Sequence, residues 1–393
     1  MRYGWAGHIL PVFTVLVLSQ CGGSGTPTSP SDPSDPAPPS PPPDGRFVAE
    51  TVLSLPNFHV SMVFTSPNRI LLTQKGGFGG VGNASVRVVQ GDRLLDRRLI
   101  TFTNVETGRE RGLLGITLDP NYQNNQLVYV FYTRGDRTNV VARFVDGELG
   151  QNGDADAEVV LGDLPSDVCG NHQGGTIAFG PDGMLYVSVG DNGCDACNSQ
   201  RAGTLAGKIL RFTRQGQVPP DNPFAHLPFP QSAFFATGLR NSFDFTFHPR
   251  TGEMFSTENG PSANDEINRI LPGRNYGWPF FQCDMSTNTR CPQPVPSNSG
   301  PLRCYPSVIA PTGIVVYEGT AYPEPFRGNL FFGDFNTGTL HRLVLSEDGS
   351  TVLAADDRFL SGFGSIVDLA VSPDGLLYVL TDQDIQRVSF VSN

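Results

Sequence analysis

The group in this chain best equipped to move a proton is a histidine with glycines behind it. His172 stands in Cys169-Gly170-Asn171-His172-Gln173-Gly174-Gly175. An imidazole titrates near neutral pH and can take a proton from a hydroxyl. The two glycines that follow leave backbone room for a ligand. The plainer reading is a histidine that bonds its own turn. His248, in Phe247-His248-Pro249, takes a turn position and reads as structural, while His59, His226 and His341 carry no local signal. A second segment, Gly238-Leu239-Arg240-Asn241-Ser242-Phe243, sets a cation and an amide beside an aromatic ring. A third, Glu258-Asn259-Gly260-Pro261 running on to Asp265-Glu266-Ile267-Asn268, can turn main-chain carbonyls to one side. With carboxylate and amide oxygens, those carbonyls suit a hard cation such as Ca²⁺; the alternative is a solvated acidic loop. The fourth is Arg109-Glu110-Arg111-Gly112-Leu113-Leu114-Gly115, a charged loop leading into an apolar strand.

These segments share one feature: each lies next to a repeated hairpin. Ile177-Ala178-Phe179-Gly180-Pro181-Asp182-Gly183-Met184-Leu185-Tyr186-Val187 returns as Leu369 to Val379 around Ser372-Pro373-Asp374-Gly375, and more loosely as Phe245 to Phe255 and Ile116 to Tyr132. Degraded copies run from Met62 to Leu72 and from Pro323 to Phe332. Pro presets φ, Asp and Asn bond their own backbone, and Gly takes positive φ without a clash. The flanking apolar, β-favouring residues make each copy a hairpin. Six copies predict an all-β, six-bladed β-propeller with loop inserts between blades. Such a fold gathers its loops around one channel, where the four segments could meet. The inserts Asp221 to Gln231 and Cys283 to Cys304 are expected to shape the mouth.

Composition agrees. Glycine is 45 of 393 residues, well above the usual ~7%, and no stretch carries sustained helical periodicity. The net charge of −11, with no basic stripe, argues against a nucleic-acid partner. Ile9 to Leu18 is an apolar run too short to span a bilayer and fits the core of an export signal. It ends at Leu18-Ser19-Gln20-Cys21, similar to the lipobox of bacterial lipoproteins, although Gln20 stands where that pattern has a small residue. Residues 1–21 are therefore expected to be a lipoprotein-type signal that anchors the mature chain to a membrane at Cys21. Residues 22–45, rich in Pro and Ser, are expected to be a disordered linker, and 46–393 the propeller, placed in the periplasm or on the outer cell surface. Cys169, Cys194, Cys197, Cys283, Cys291 and Cys304 form an even set, which in an exported chain implies disulfides. Their connectivity stays open: one of the last three must pair elsewhere, or the Cys194–Cys197 pair must open to meet Cys169.

Taken together, Glu110-Arg111-Gly112-Leu113-Leu114-Gly115, His172-Gln173-Gly174-Gly175, Gly190-Asp191, Gly238-Leu239-Arg240-Asn241, Glu258-Asn259-Gly260-Pro261 and Asn275-Tyr276-Gly277-Trp278-Pro279 resemble the glucose/sorbosone dehydrogenase family, the soluble pyrroloquinoline-quinone (PQQ) sugar dehydrogenases. The resemblance runs from about Val48 to Val391 and implies a six-bladed propeller. It implies further that His172 is the base acting on a sugar's anomeric hydroxyl and that Arg240 stabilises charge on the PQQ oxygens. Asn241 would bind the cofactor, Gly260 and Pro261 would give carbonyls to Ca²⁺, and Glu110 and Asn171 would lie near the substrate. The electron acceptor would be a quinone or a cytochrome. The family also meets the PQQ carboxylates with a Lys and two Arg. The aligned positions here are Asn336, Ser365 and Val367, with Arg342, Arg327 and Arg358 as nearby substitutes. A non-catalytic binding propeller, as in animal hedgehog-interacting proteins, is the second expectation, and a lactonase-like hydrolase the third.

Overall fold

The structure, a computed structural model, describes residues 44–147, 152–153, 156–287 and 289–393, and of 152–153 only the backbone. The expected signal, the Cys21 lipid site and all but the last two residues of the expected linker lie outside the described residues.

Six antiparallel sheets follow one another along the chain. Blade 1 runs His59–Ser66, Arg69–Gln74, Val81–Gln90 and Ile100–Glu106, from inner to outer strand. Blade 2 is Leu113–Leu118, Leu127–Thr133, Asn139–Val145 and Glu158–Leu164. Blade 3 is Ile177–Phe179, Leu185–Val189, Lys208–Phe212 and Phe234–Thr237. Blade 4 is Ser242–Phe247, Met254–Glu258, Asp265–Ile270 and Arg303–Tyr305. Blade 5 is Pro311–Tyr317, Asn329–Asp334, Thr339–Leu345 and Val352–Ser361. Blade 6 takes Ile366–Val371, Leu377–Thr381 and Asp384–Ser392 from the C-terminal end and Gly45–Ser54 from the N-terminal end as its outermost strand. Among the described residues, helix is confined to Tyr122–Asn125, inside the blade 2 hairpin, and a few short 3₁₀ turns.

Five of the six expected copies join an inner strand to the second strand of its blade; the sixth, Pro323 to Phe332, holds only a 3₁₀ turn and part of the second strand, and its inner strand lies earlier, at Pro311–Tyr317. Ile177 faces Val187 and Leu369 faces Val379. The turn chemistry is as expected: Gly183 has φ +74°, and Asp182 Oδ1 accepts the Met184 N–H at 3.0 Å. Second strands are buried along their whole length in blades 3 to 6, as in Leu185–Val189, and through their middle in blades 1 and 2, because each sheet packs against a blade on either face. That gives a continuous apolar run rather than strict alternation.

The inner strands are stitched around the ring by side chains. Thr73 Oγ1 donates to Leu114 O (2.7 Å), Thr176 Oγ1 to Phe243 O (2.9 Å) and Thr312 Oγ1 to Ile366 O (2.8 Å). Asp244 accepts the Ile314 N–H at 2.9 Å, and Asp368 accepts the Met62 N–H at 2.7 Å. Blades 2 and 3 approach so closely at Gly115 that a Cβ there would sit 2.2 Å from Gly175 O.

Antiparallel pairing fixes which loops share an end. The start of each inner strand, the end of each second strand and the start of each third strand lie together, here termed the site end. The Cys283 to Cys304 insert belongs to it, since Cys283 N donates to Glu266 at 2.6 Å. The Asp221 to Gln231 insert does not. It follows the far end of Lys208–Phe212, where Asp221 and Asn222 hold Arg211 at 2.9 and 2.8 Å. The expectation that it shapes the mouth is therefore corrected: strand direction carries it to the opposite end.

Candidate functional site

His172 is held in a left-handed backbone conformation, φ +54°. Its N–H donates to Glu110 Oε2 at 2.5 Å, and its ring Nδ1 lies 2.6 Å from Asp191 Oδ1. Asp191, just past the second strand of blade 3, is fully buried. Its carboxylate also accepts from Gly193 N (2.8 Å) and Trp278 Nε1 (2.9 Å). A carboxylate collecting that many donors acts as acceptor, which puts a proton on Nδ1; in the neutral ring the lone pair is then on Nε2. Nε2 has no hydrogen-bond partner among the described residues, and the His172 side chain keeps 16% exposure. This is the arrangement of an oriented base. It depends on Gly190, where a Cβ would lie 2.1 Å from His172 O.

The Trp278 ring carries the connection onward. The Arg240 guanidinium lies over it, 5.6 Å from a ring centroid, and Arg240 Nη1 donates to Asn259 O at 2.7 Å. Asn241 is buried; its Oδ1 accepts the Gly174 N–H at 3.1 Å. The main-chain N–H groups of Arg240 and Asn241 both point at Glu258 Oε1, at 2.8 and 2.5 Å. His172, Asp191, Trp278, Arg240 and Asn241 thus form one connected set across blades 3 and 4. A pocket lined by Arg240, Glu258, Asn259, Gly260, Glu266 and Trp278, among others, opens beside it. Neither Asp191 nor Trp278 is a site residue on the sequence reading, although Gly190-Asp191 and the Trp278 phrase are both visible there.

Gly260 and Pro261 sit in the loop between the second and third strands of blade 4. Gly260 is half-buried, its N–H bound to Asp265 at 2.7 Å, and Pro261 is exposed. Nearby acids are buried. Burial pushes the Glu258 carboxyl up to about 8, aided by Glu266 and opposed by its backbone donors, and raises Asp265 and Glu266 as well. Glu258 Oε2 is buried without a partner. An orphaned carboxylate oxygen in a pocket also lined by Asn259 and Gly260 suits a hard divalent ion if main-chain carbonyls supply the other oxygens; Pro261 stands outside that lining. No cluster of three or more carboxylate, imidazole or thiol groups suited to a metal occurs among the described residues, so such an ion would depend on the carbonyls.

Glu110 stands at the start of blade 2 with one oxygen committed to His172. Asn171 lies against Gly193, its Cβ 3.3 Å from where a Gly193 Cβ would be. The remaining mouth loops are electrically lopsided. Lys75, Arg109, Arg111, Arg134 and Arg137 stand in site-end loops of blades 1 and 2, whereas loops 306–310, 334–338, 361–365 and 381–384 of blades 5 and 6 contain no Lys or Arg. The substitutes suggested by sequence do not repair this. Arg342 is buried within blade 5 over the Phe326 ring at 4.1 Å, Arg327 lies at the opposite end, and Arg358 is exposed on an outer strand. A tricarboxylate cofactor at this mouth would meet Arg240 from blade 4 and no Lys or Arg from those loops of blades 5 and 6.

The comparisons agree with this frame. Residues 57–389 match the family described as Glucose / Sorbosone dehydrogenase. The aldose sugar dehydrogenase YliI of Escherichia coli is 28% identical over 332 residues, covering 82% of this chain and 86% of that protein. The PQQ-bound aldose sugar dehydrogenase of Streptomyces coelicolor superposes with a TM-score of 0.70 at 26% identity, over 89% of this chain and 100% of that one. Mouse Hedgehog-interacting protein is 24% identical over 298 residues, 68% of this chain but only 39% of that protein.

Proposed function

The chain belongs to the glucose/sorbosone dehydrogenase family, and from that premise we propose that it is an exported sugar dehydrogenase that oxidises the anomeric C1–OH of an aldose to the lactone, with PQQ and Ca²⁺. The observation that carries the reading is the oriented imidazole: His172 fixed by Asp191, itself tied through Trp278 to Arg240.

His172 Nε2 takes the anomeric hydroxyl proton, and Asp191 stabilises the imidazolium that results. Arg240, backed by the Trp278 face, sets positive charge where negative charge grows, an electrostatic contribution of the oxyanion-hole kind. Asn241 and Arg240 would hold the cofactor from blade 4, while Glu258 and the Gly260 and Pro261 carbonyls would hold the ion. Glu110 and Asn171 would border the sugar. When bound, PQQ would supply the two-electron acceptor for the C1 hydride, with a quinone or a cytochrome as the final acceptor. The six paired cysteines support an oxidising, extracytoplasmic setting, with attachment through Cys21.

The test is calorimetric titration of the signal-free protein with PQQ and Ca²⁺, alongside dye-linked oxidation of several aldoses. Micromolar or tighter PQQ binding with His172-dependent turnover supports the reading. Absence of that binding favours the second one, a non-catalytic binding propeller. The cation-poor blades 5 and 6 speak for it, since each lost charged hydrogen bond to a carboxylate is worth about 1.5–3 kcal/mol.

A further inference from the structure

All six half-cystines of the disulfides lie at the site end. Cys169 pairs with Cys194, Cys197 with Cys291 and Cys283 with Cys304, so the Cys194–Cys197 pair opens and both members reach outward. None of these bonds touches the seam between Gly45–Ser54 and Asp384–Ser392, where a staple would close the ring, and none reaches the far end. The first has a specific address. Cys169 precedes His172 by three residues (172 − 169) and Cys194 follows Asp191 by three (194 − 191). The disulfide and the imidazole–carboxylate bond are thus two rungs between the same two loops.

Those loops need a rung. Gly170, His172, Gly174 and Gly175 all have positive φ, at +74°, +54°, +62° and +99°, as do Asn192 and Gly193 on the facing arm. Positive φ interrupts regular strand pairing along these arms. The ladder with the second strand ends at Gly175 and Thr176, bonded to Ser188 at 3.0 Å, and beyond it the only main-chain bond between residues 169–174 and 190–194 is a long one, Asn192 N to His172 O at 3.3 Å. Gly170 is also packed closely from below, since a Cβ there would lie 2.5 Å from Arg111 Nη1.

Resting on the reading of His172 as the base, we propose that the Cys169–Cys194 disulfide is a positioning element of the reaction, which sets the His172 ring against Asp191 rather than merely stabilising the fold. A control is built into the molecule. Cys169–Cys194 closes a sequence separation of 25 and Cys283–Cys304 one of 21, so their loop-closure effects on stability are closely matched. Only the first brackets the pair.

The experiment follows the hydrogen-bonded Nδ1 proton of His172 by NMR in histidine-labelled protein, assigned by its loss in His172→Ala. The Cys169→Ser/Cys194→Ser variant is expected to lose or broaden this signal and to lower kcat roughly tenfold or more, with KM within about threefold. The Cys283→Ser/Cys304→Ser variant is expected to keep the signal at a similar thermal midpoint. If the first variant does not fold, the intact protein is reduced with a phosphine, the opened bond is identified by mass spectrometry after alkylation, and the same signal is read. A signal unchanged by loss of Cys169–Cys194, equally lost in both variants, or absent from the intact protein overturns the proposal. Near-normal turnover in His172→Ala instead refutes the base assignment and leaves the signal comparison as a test of geometry.

Discussion

On the proposed reading, His172 is only as good a base as the groups that fix its ring. His172→Ala is expected to cut dye-linked sugar oxidation by about 10²–10⁴-fold, the usual contribution of a positioned base, while calorimetry shows PQQ affinity within a few fold of wild type. Asp191→Asn preserves shape but offers Nδ1 a competing donor, so turnover should fall roughly 10²-fold or more with little change in KM. At Gly190, alanine would drive a methyl group against His172 O, and both turnover and thermal midpoint should drop. His172, Arg240 and Asn241 are legible in sequence because unusual local company, glycines or an adjacent amide, surrounds them. Asp191 and Trp278 are not. They are 87 residues apart and meet only once blades 3 and 4 pack, and no local pattern encodes that meeting.

Hairpins are the elements most legible in the sequence, because Pro, Asp and Gly act within a few bonds of the turn they shape. Asp182 illustrates the reach of one such residue. It caps the turn at Met184, accepts from the Tyr186 hydroxyl at 2.9 Å and pairs with the buried Arg211 at 2.8 Å. Asp182→Ala leaves part of that guanidinium unpaired, and chemical denaturation should show a loss of about 2 kcal/mol, with sugar oxidation retained because the turn lies at the far end. Inserts are less legible. Nothing in the composition of Asp221 to Gln231 or of Cys283 to Cys304 says which end each occupies; strand direction decides it, and that requires the full blade count. Disulfide pairing is hidden for the same reason, since Cys197 and Cys291 belong to different blades.

The ring as a whole carries a pH dependence. Asp244, half-buried, and Asp368, buried, stand in the inner strands of blades 4 and 6. Burial raises both carboxyls, and the charge of Asp368 adds to the effect on Asp244, which reaches about 8. Groups raised in the folded state bind more protons there than in the unfolded chain. Their stabilising contribution is complete below pH ~4 and is lost as pH climbs through the folded values. His59, lowered to about 4 by burial, and Lys208, lowered to about 7, change stability in the opposite sense, so the check is a comparison. Between pH 4.5 and 6.5, Asp244→Asn should show a more positive slope of unfolding free energy against pH than wild type. Equal slopes would mean that the pair titrates normally. The six-blade count is legible from repeats alone, but this pair is not, because Asp244 and Asp368 converge only through closure.

That closure has a consequence for how the chain is made. Gly45–Ser54, the first strand of the ring to be synthesised, pairs with Asp384–Ser392, the last, and Phe47 packs among Tyr322, Phe326, Phe359 and Phe390. No nascent chain can complete the circle before Asp384–Ser392 is translated. Until then its leading strand is a bare edge carrying an uncovered aromatic, the kind of surface that invites misassembly. Messages truncated just before the Asp384 codon should therefore yield aggregates or substrates for proteolysis rather than a slightly smaller propeller.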